Sequence, residues 1–280
     1  MATRGSVALF HPGDMGSAIG ACLTSAGVRV RCALGDRSEA TRARARASAL
    51  EDAGTIAAAL AGADLVLSVC PPHGTLALAR EVAAIGFKGI YIDANAVSPA
   101  TARTVAGVVE AVGARFVDAG IIGAPPRNDR PAWMYLCGPH AGEAAALFQG
   151  TATRAAVLDG PVGVASALKA CYAAWNKGTW LFLASLYALA EREGVAEPLR
   201  ELWARSHPQL LEQLSAPSLN PAKAWRWLAE MQEIAATFES AGQPGGFALA
   251  CAEICRRLEG YKDDPARPSI ESIVPSLQGR

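Results

Sequence analysis

The chain has 280 residues, 51% of them hydrophobic and 19% charged, which supplies a sizeable core and excludes a disordered chain. Its 26 Lys and Arg balance 26 Asp and Glu, so the clustered basic excess of a nucleic-acid-binding protein is missing. Seven cysteines are scattered without a CxxC pair, which argues against disulfide staples and for a reducing, cytoplasmic setting.

MATRGSVALF runs directly into a first strand, expected at 7–10, without the apolar core and cleavage site of a secretory signal. The glycine-rich segment HPGDMGSAIG follows and opens a helix to about residue 26. A second strand is expected at 28–34, and the near-continuous apolar runs at 63–69 and 89–93 predict strands buried on both faces. Segments 115–118 and 133–137 extend the sheet, and 155–158 closes it. Strands alternating with helical patterns mark βαβ units on a parallel sheet.

After Gly160 the pattern changes. One very long helix is expected over about 162–192, with others around 199–214, 222–239 and 247–258. The most apolar stretch, 179–190, falls short of the ~20 residues of a membrane span and reads as a buried helix. Cys251 and Cys255, four apart on an apolar helix, read as buried thiols. Pro265, Pro268 and Pro275 mark an extended tail. The fold class expected is therefore α/β, a doubly wound, mostly parallel sheet over 1–159. An all-α domain with a long central helix follows over 160–261, and a tail over 262–280.

A strand, a glycine-rich turn and a helix form the context in which a dinucleotide fingerprint carries meaning. Gly13 and Gly16 match its second and third glycines, and His11 stands at the first. The backbone of Gly13, Asp14, Met15 and Gly16 would approach a pyrophosphate, and the helix N-terminus adds its positive end. Beyond the second strand, Arg37 and Ser38 form a clamp for the 2′-phosphate of NADP. Asp36 instead offers the ribose contact of NAD or a helix cap, so NADP is the favoured cofactor and NAD the alternative. His73, after Pro71 and Pro72, either reaches the nicotinamide ribose or merely begins a helix.

Lys169 lies in GPVGVASALKACY, where an amine among apolar neighbours is paired, at an edge, or present for chemistry. Helical spacing puts Lys169, Tyr172 and Asn176 on one face, with Lys177 close to it. Desolvation lowers a lysine from its ordinary value of about 10.4 toward the range of a base working near neutrality. A snorkelling surface lysine is the bland alternative. No Cys, His and Asp cluster has metal-ligand spacing, so no metal is expected.

From residue 6 to about 180 the sequence resembles the β-hydroxyacid dehydrogenase superfamily, which includes 3-hydroxyisobutyrate and 6-phosphogluconate dehydrogenases. The family's G-x-G-x-M-G turn matches 12–16, less its first glycine. Its D-x-S-T-x-x-P segment is similar to 93–99, its D-A-P-V-S-G-G segment to 118–124, and its G-x-x-G-x-x-x-x-x-K helix coincides with Gly160, Gly163 and Lys169. The segment AWRWLAEMQEIA at 224–235 looks more like a less studied phosphogluconate-dehydrogenase-like branch.

The resemblance implies a Rossmann-type domain and a hydride passed between nicotinamide and a substrate carbon, with Lys169 handling the hydroxyl proton. It also implies cofactor contacts at Val69, Cys70, Pro71 and Asn95, and a homodimer clasped through the long helices. Departures bear on the substrate. Ile122, next to Gly123, replaces the serine that helps hold a carboxylate. Asn95 and Ala96 replace a serine and threonine, and Tyr172 and Ala173 stand where asparagines are expected. Ile122, Tyr172, Trp175 and Trp180 would line a roomier, more apolar pocket, with Asn95 or Asn176 supplying an amide. The leading expectation is an NADP(H)-dependent oxidoreductase acting on a hydroxyl/carbonyl pair of a small organic acid, a hydroxy-acid-like compound. An imine or pyrroline-carboxylate reductase is the rival within catalysis, and a non-catalytic NADP-binding scaffold the rival outside it. Neither nucleic acid nor membrane is expected as a partner.

Overall fold

The computed structural model describes residues 5–214, 221–262, 264–266 and 268–278. The chain divides into two compact units, Met1–Lys169 and Ala170–Arg280.

The first unit carries β1 (Ser6–Phe10), β2 (Arg29–Cys32), β3 (Glu51–Asp52), β4 (Leu65–Ser68), β5 (Ile90–Asp93), β6 (Arg115–Ile122), β7 (Ala132–Cys137) and β8 (Thr153–Val157). They form one sheet in the order β3-β2-β1-β4-β5-β6-β7-β8. The first six strands run parallel, β7 is antiparallel to β6, and β8 is parallel to β7. Alternate residues of the central strands enter two cores. Leu9, Leu67 and Ile92 pack on one face, and Ala8, Val66 and Tyr91 on the other. This two-sided burial is why the runs at 63–69 and 89–93 show no polar alternation. β1 pairs with both β2 and β4, so the order reverses there, and the crevice beyond the strand ends is the place for a ligand. β3 was not expected: it is two exposed charged residues with no apolar run to announce it.

The expected domain boundary at 159 precedes the end of this unit by ten residues, since the unit closes at Lys169. The physical reason is the first turn of the helix Val164–Ala173, which is hydrogen-bonded to β6 through Asp118.

Every described element of the second unit is a helix. The long helix foreseen at 162–192 contains a π-helical turn, Ala174–Gly178, between Val164–Ala173 and Thr179–Arg192. The helix foreseen at 199–214 breaks at His207 into Ala196–Ser206 and Pro208–Leu214, because a residue before proline is pushed out of the α region. A short 3₁₀ stretch, Pro221–Arg226, precedes the helix Trp227–Ser240, and Gly246–Arg257 follows. Their core gathers Trp180, Leu181, Trp227, Met231 and Cys255.

The extended tail foreseen at 262–280 is corrected: Ile270–Gln278 is a helix with Pro275 inside it. Ile270, Ile273, Val274 and Leu277 form an i, i+3, i+4, i+7 stripe, and the last three are buried. Burying each such side chain is worth about 1.5–3 kcal/mol, which together outweighs the about 3 kcal/mol cost of an interior proline.

Candidate active site

At the end of β1 the chain turns through His11, whose backbone is left-handed at φ 61°. Its carbonyl accepts the Gly13 amide at 2.7 Å. A Cβ on Gly16 would stand 2.7 Å from that same oxygen, so the helix Asp14–Ser25 reaches the turn only with glycine there. A Cβ on Gly13 would meet nothing within 4 Å, and no side chain caps the helix. Open space over uncapped backbone donors, at the sheet's switch point, fits the pyrophosphate of a dinucleotide. Asp14 lies 3.8 Å from Arg44, and Met15 packs against the core below.

Beyond β2, Ser38 caps the helix Glu39–Ala47 by accepting the Thr41 amide. Asp36 is exposed and is not the cap, which removes one of its two expected roles. The Arg42 guanidinium donates to the carbonyls of Gly35 (2.7 Å) and Arg37 (3.0 Å). That staple fixes the loop presenting half-buried Arg37.

The ends of β4 and β5 are locked by Asn95. Its Oδ1 accepts the Cys70 amide at 2.6 Å and its Nδ2 donates to Ser68 Oγ at 2.9 Å. The side chain is buried. Asn95 therefore ties Ser68 and Cys70 together, on either side of Val69 and next to Pro71. The Cys70 thiol is pushed up by burial and makes only weak contacts, at 3.6 Å, with Ser68 and Thr75. His73 is exposed in the 3₁₀ turn Pro72–Gly74.

Lys169 owes its position to Asp118 on β6. The buried Asp118 carboxylate accepts the amides of Gly163 (2.8 Å) and Ser166 (3.1 Å) and the Ser166 hydroxyl (2.6 Å). It thereby caps, from across the fold of the first unit, the helix on which Lys169 sits. Cys137 donates to the same carboxylate at 3.2 Å, and burial, with Asp118 beside it, pushes its thiol up to about 11, so it stays protonated. Gly120, two residues further along β6, lets the helix close in: a Cβ there would stand 2.8 Å from the Ala165 carbonyl and 3.0 Å from Lys169 Cβ. Lys169 is half-buried against the strand. Ile122, half-buried, ends β6, and exposed Gly123 follows at φ 120°.

Tyr172, Trp175 and Asn176 belong to the helical unit, where all three are exposed and Asn176 Nδ2 donates to the Tyr172 carbonyl. The π turn inserts a residue, so an i, i+7 spacing counted on a regular helix no longer holds past 174. Trp180 is corrected from pocket lining to core: it is 2% exposed and meets Trp227 edge-on at 6.0 Å. Lys177 is ion-paired with buried Glu230 and lies 5.6 Å over the Trp227 ring. Among the described residues no group of three or more His, Cys, Asp or Glu is arranged to hold a metal.

Residues 6–149, just over half of the chain, match the family described as the NAD binding domain of 6-phosphogluconate dehydrogenase. The chain belongs to this family. It falls within the β-hydroxyacid dehydrogenase superfamily and is, by that membership, an NAD(P)-dependent dehydrogenase or reductase. Residues 190–258 match a family described as a domain of unknown function. A conserved hypothetical protein of Sinorhizobium meliloti 1021 is 24% identical, covering 99% of this chain and 96% of its own, with a TM-score of 0.68. The Mycobacterium tuberculosis 3-hydroxyisobutyrate dehydrogenase is 19% identical over 98% and 99%, with a TM-score of 0.70. An Aspergillus terreus reductive aminase is 18% identical over 98% and 99%, with a TM-score of 0.57. At these identities the structures show a common fold.

In this β-hydroxyacid dehydrogenase fold the superfamily's segments acquire physical meanings. Segment 93–99 resolves into a strand end, the Asn95 latch, the Ser98 cap and Pro99 at the start of the helix Pro99–Glu110. Gly163 has φ 110° and a Cβ there would stand 2.9 Å from Pro99 Cβ, so the helix of Lys169 and that of Pro99 meet at a glycine.

Proposed function

We propose that this chain is an NADP(H)-dependent oxidoreductase acting on a hydroxyl/carbonyl pair, with Lys169 as its general acid/base. The observation that carries the reading is the Asp118 anchor with the Gly120 contact, which brings Lys169 against the C-terminal half of β6 in the sheet unit. Gly13, Asp14, Met15 and Gly16 would hold the pyrophosphate. Arg37 and Ser38, on the loop stapled by Arg42, would hold a 2′-phosphate. Val69, Cys70, Pro71 and His73 would flank the nicotinamide half, with Asn95 keeping that loop in place.

The bound nicotinamide supplies or receives the hydride. Lys169 Nζ, as a neutral amine, accepts the hydroxyl proton when the substrate is oxidised; as an ammonium, it donates one to the carbonyl oxygen when the substrate is reduced. Ile122, Gly123, Tyr172, Trp175 and Asn176 are our candidates for substrate contact. With Ile122 in place of a serine, the substrate favoured is less dependent on a hydroxyl-bound carboxylate than a small 3-hydroxy acid.

The partner we propose is a second copy of the chain. On the helix Thr179–Arg192, Phe182 (51% exposed) and Leu189 (55%) lie seven residues apart on one face, and Trp175 is 70% exposed. No described helix is long and apolar enough to cross a membrane, and all seven cysteines are free, which supports a cytoplasmic setting.

The test is a panel of hydroxy acids, aldehydes and cyclic imines followed by NADPH absorbance, with NADH in parallel. Turnover of hydroxyl or carbonyl compounds with NADPH preferred is the expected result. Turnover confined to imines would move the reading to an imine reductase. Sedimentation of the purified chain as a monomer at micromolar concentration would remove the dimer.

A further inference from the structure

His11 occupies the place that a dinucleotide turn normally gives to glycine, and it takes the left-handed backbone that goes with it. Among the described residues only His11 and Ala49 do this without being glycine. The conformation is imposed from outside, because the His11 carbonyl is held by the Gly13 amide and pressed on Gly16. A left-handed residue with a side chain costs roughly 1–2 kcal/mol, and such strain persists where the site uses it. The imidazole Nδ1 is buried and makes no hydrogen bond. A buried ring nitrogen without a partner carries a desolvation cost that a ligand would relieve.

The surroundings point to an anion. β1 lies between β2 and β4 in the sheet, and the charged groups acting on His11 come from the loops beyond those neighbours: Arg37 after β2 and His73 after β4. On its own turn the nearby charge is Asp14, engaged with Arg44. Burial first, then Arg37 and His73, hold the imidazole down to about 4, so it is neutral near physiological pH. Seating a polyanion among Arg37, His73 and the uncapped helix reverses the sign of the field that disfavours the imidazolium.

Resting on the dinucleotide reading above, we propose that His11 is a phosphate ligand of the bound cofactor, and that the imidazole takes up a proton as the cofactor binds. The coupling has a definite sign. The proton is bound more tightly in the complex than in the free protein, so affinity for the dinucleotide rises as pH falls through the window between the two states.

The test is calorimetric titration of NADPH and NADH into the full chain, in two buffers of different ionisation enthalpy, from about pH 8 down to about pH 5.5. The variants are His11→Gln, which keeps polarity and size, and His11→Gly, which also relaxes the backbone. Subtracting each variant from the wild type removes the cofactor's own 2′-phosphate, which titrates near pH 6, and any contribution of His73. The wild type is expected to take up a fraction of a proton more per cofactor than either variant. Its affinity should gain about tenfold over both variants across the window, the equivalent of one unit of linkage. Equal proton uptake and parallel pH profiles in all three would overturn the role of His11 while leaving the dinucleotide site standing. Failure of the wild type to bind either nucleotide would overturn the underlying reading and this proposal together.

Discussion

The two units bury their polar groups in opposite ways. Of the ten buried polar or charged residues among those described, nine lie in the sheet unit, and Glu230 is the tenth. In the sheet unit these groups are threaded into backbone: Asp118 takes two amides, and Asn95 takes one and gives one bond to Ser68. The helical unit instead sets one ion pair, Lys177 with Glu230, into a core of aromatic and aliphatic side chains. Buried polar groups that hold backbone fix loops and helix starts, as a cofactor site requires. A lone ion pair in an apolar core is weak evidence of stability and is sensitive to loss of one partner.

The contrast can be broken at named positions. Asp118→Ala should cost the most, about 3 kcal/mol or more, because four donors, two amides, a hydroxyl and a thiol, lose their acceptor. Faster amide exchange along β6 and in the first turn of Val164–Ala173 checks it, and unchanged exchange there would refute the anchor. Lys177→Met should cost about 3 kcal/mol, the lower end for removing one partner of a buried ion pair, because Lys177 is 22% exposed. Five of the six tryptophans lie beyond residue 170, so the urea midpoint read by tryptophan fluorescence reports this unit. Asn95→Ala should cost about 1–2 kcal/mol in stability and weaken cofactor binding about tenfold, since it frees the loop at Cys70. A variant binding cofactor as tightly as the wild type would deny that loop its role.

The two units also differ in how their stability depends on pH. His11 is held near 4 in the folded chain against an ordinary 6.5, so between those values the unfolded chain binds the extra proton. Stability of the sheet unit should therefore fall as pH drops from about 6.5 toward 4, and His11→Gln should flatten that limb. In the helical unit burial raises Cys251 to about 11 and Cys255 to about 12, so stability there is lost as pH climbs above 9, where only the unfolded thiols ionise.

Much of this was legible before any coordinates, and what was missed shares a cause. Apolar runs and glycine turns announced seven of the eight strands, because burial on both faces of a parallel sheet leaves a continuous pattern. β3 has no such run. The Asp118 cap joins residues 45 and 48 apart, a pairing that periodicity does not encode. The Arg42 staple is silent in the sequence because its partners are backbone carbonyls, which carry no side-chain signature. The helix at Ile270–Gln278 was hidden by reading Pro275 ahead of its apolar stripe. At the first position of the turn, sequence registered a missing glycine; the structure adds that His11 keeps the glycine's backbone and brings a buried ring nitrogen with it.

The proposed chemistry turns on Lys169, and one paired measurement addresses it most directly: turnover and NADPH affinity of Lys169→Ala beside the wild type, on the best substrate of the panel. Loss of about 10²–10⁴ in kcat with an unchanged dissociation constant is the predicted result. Near-normal turnover, or a fall fully explained by lost cofactor binding, would contradict it.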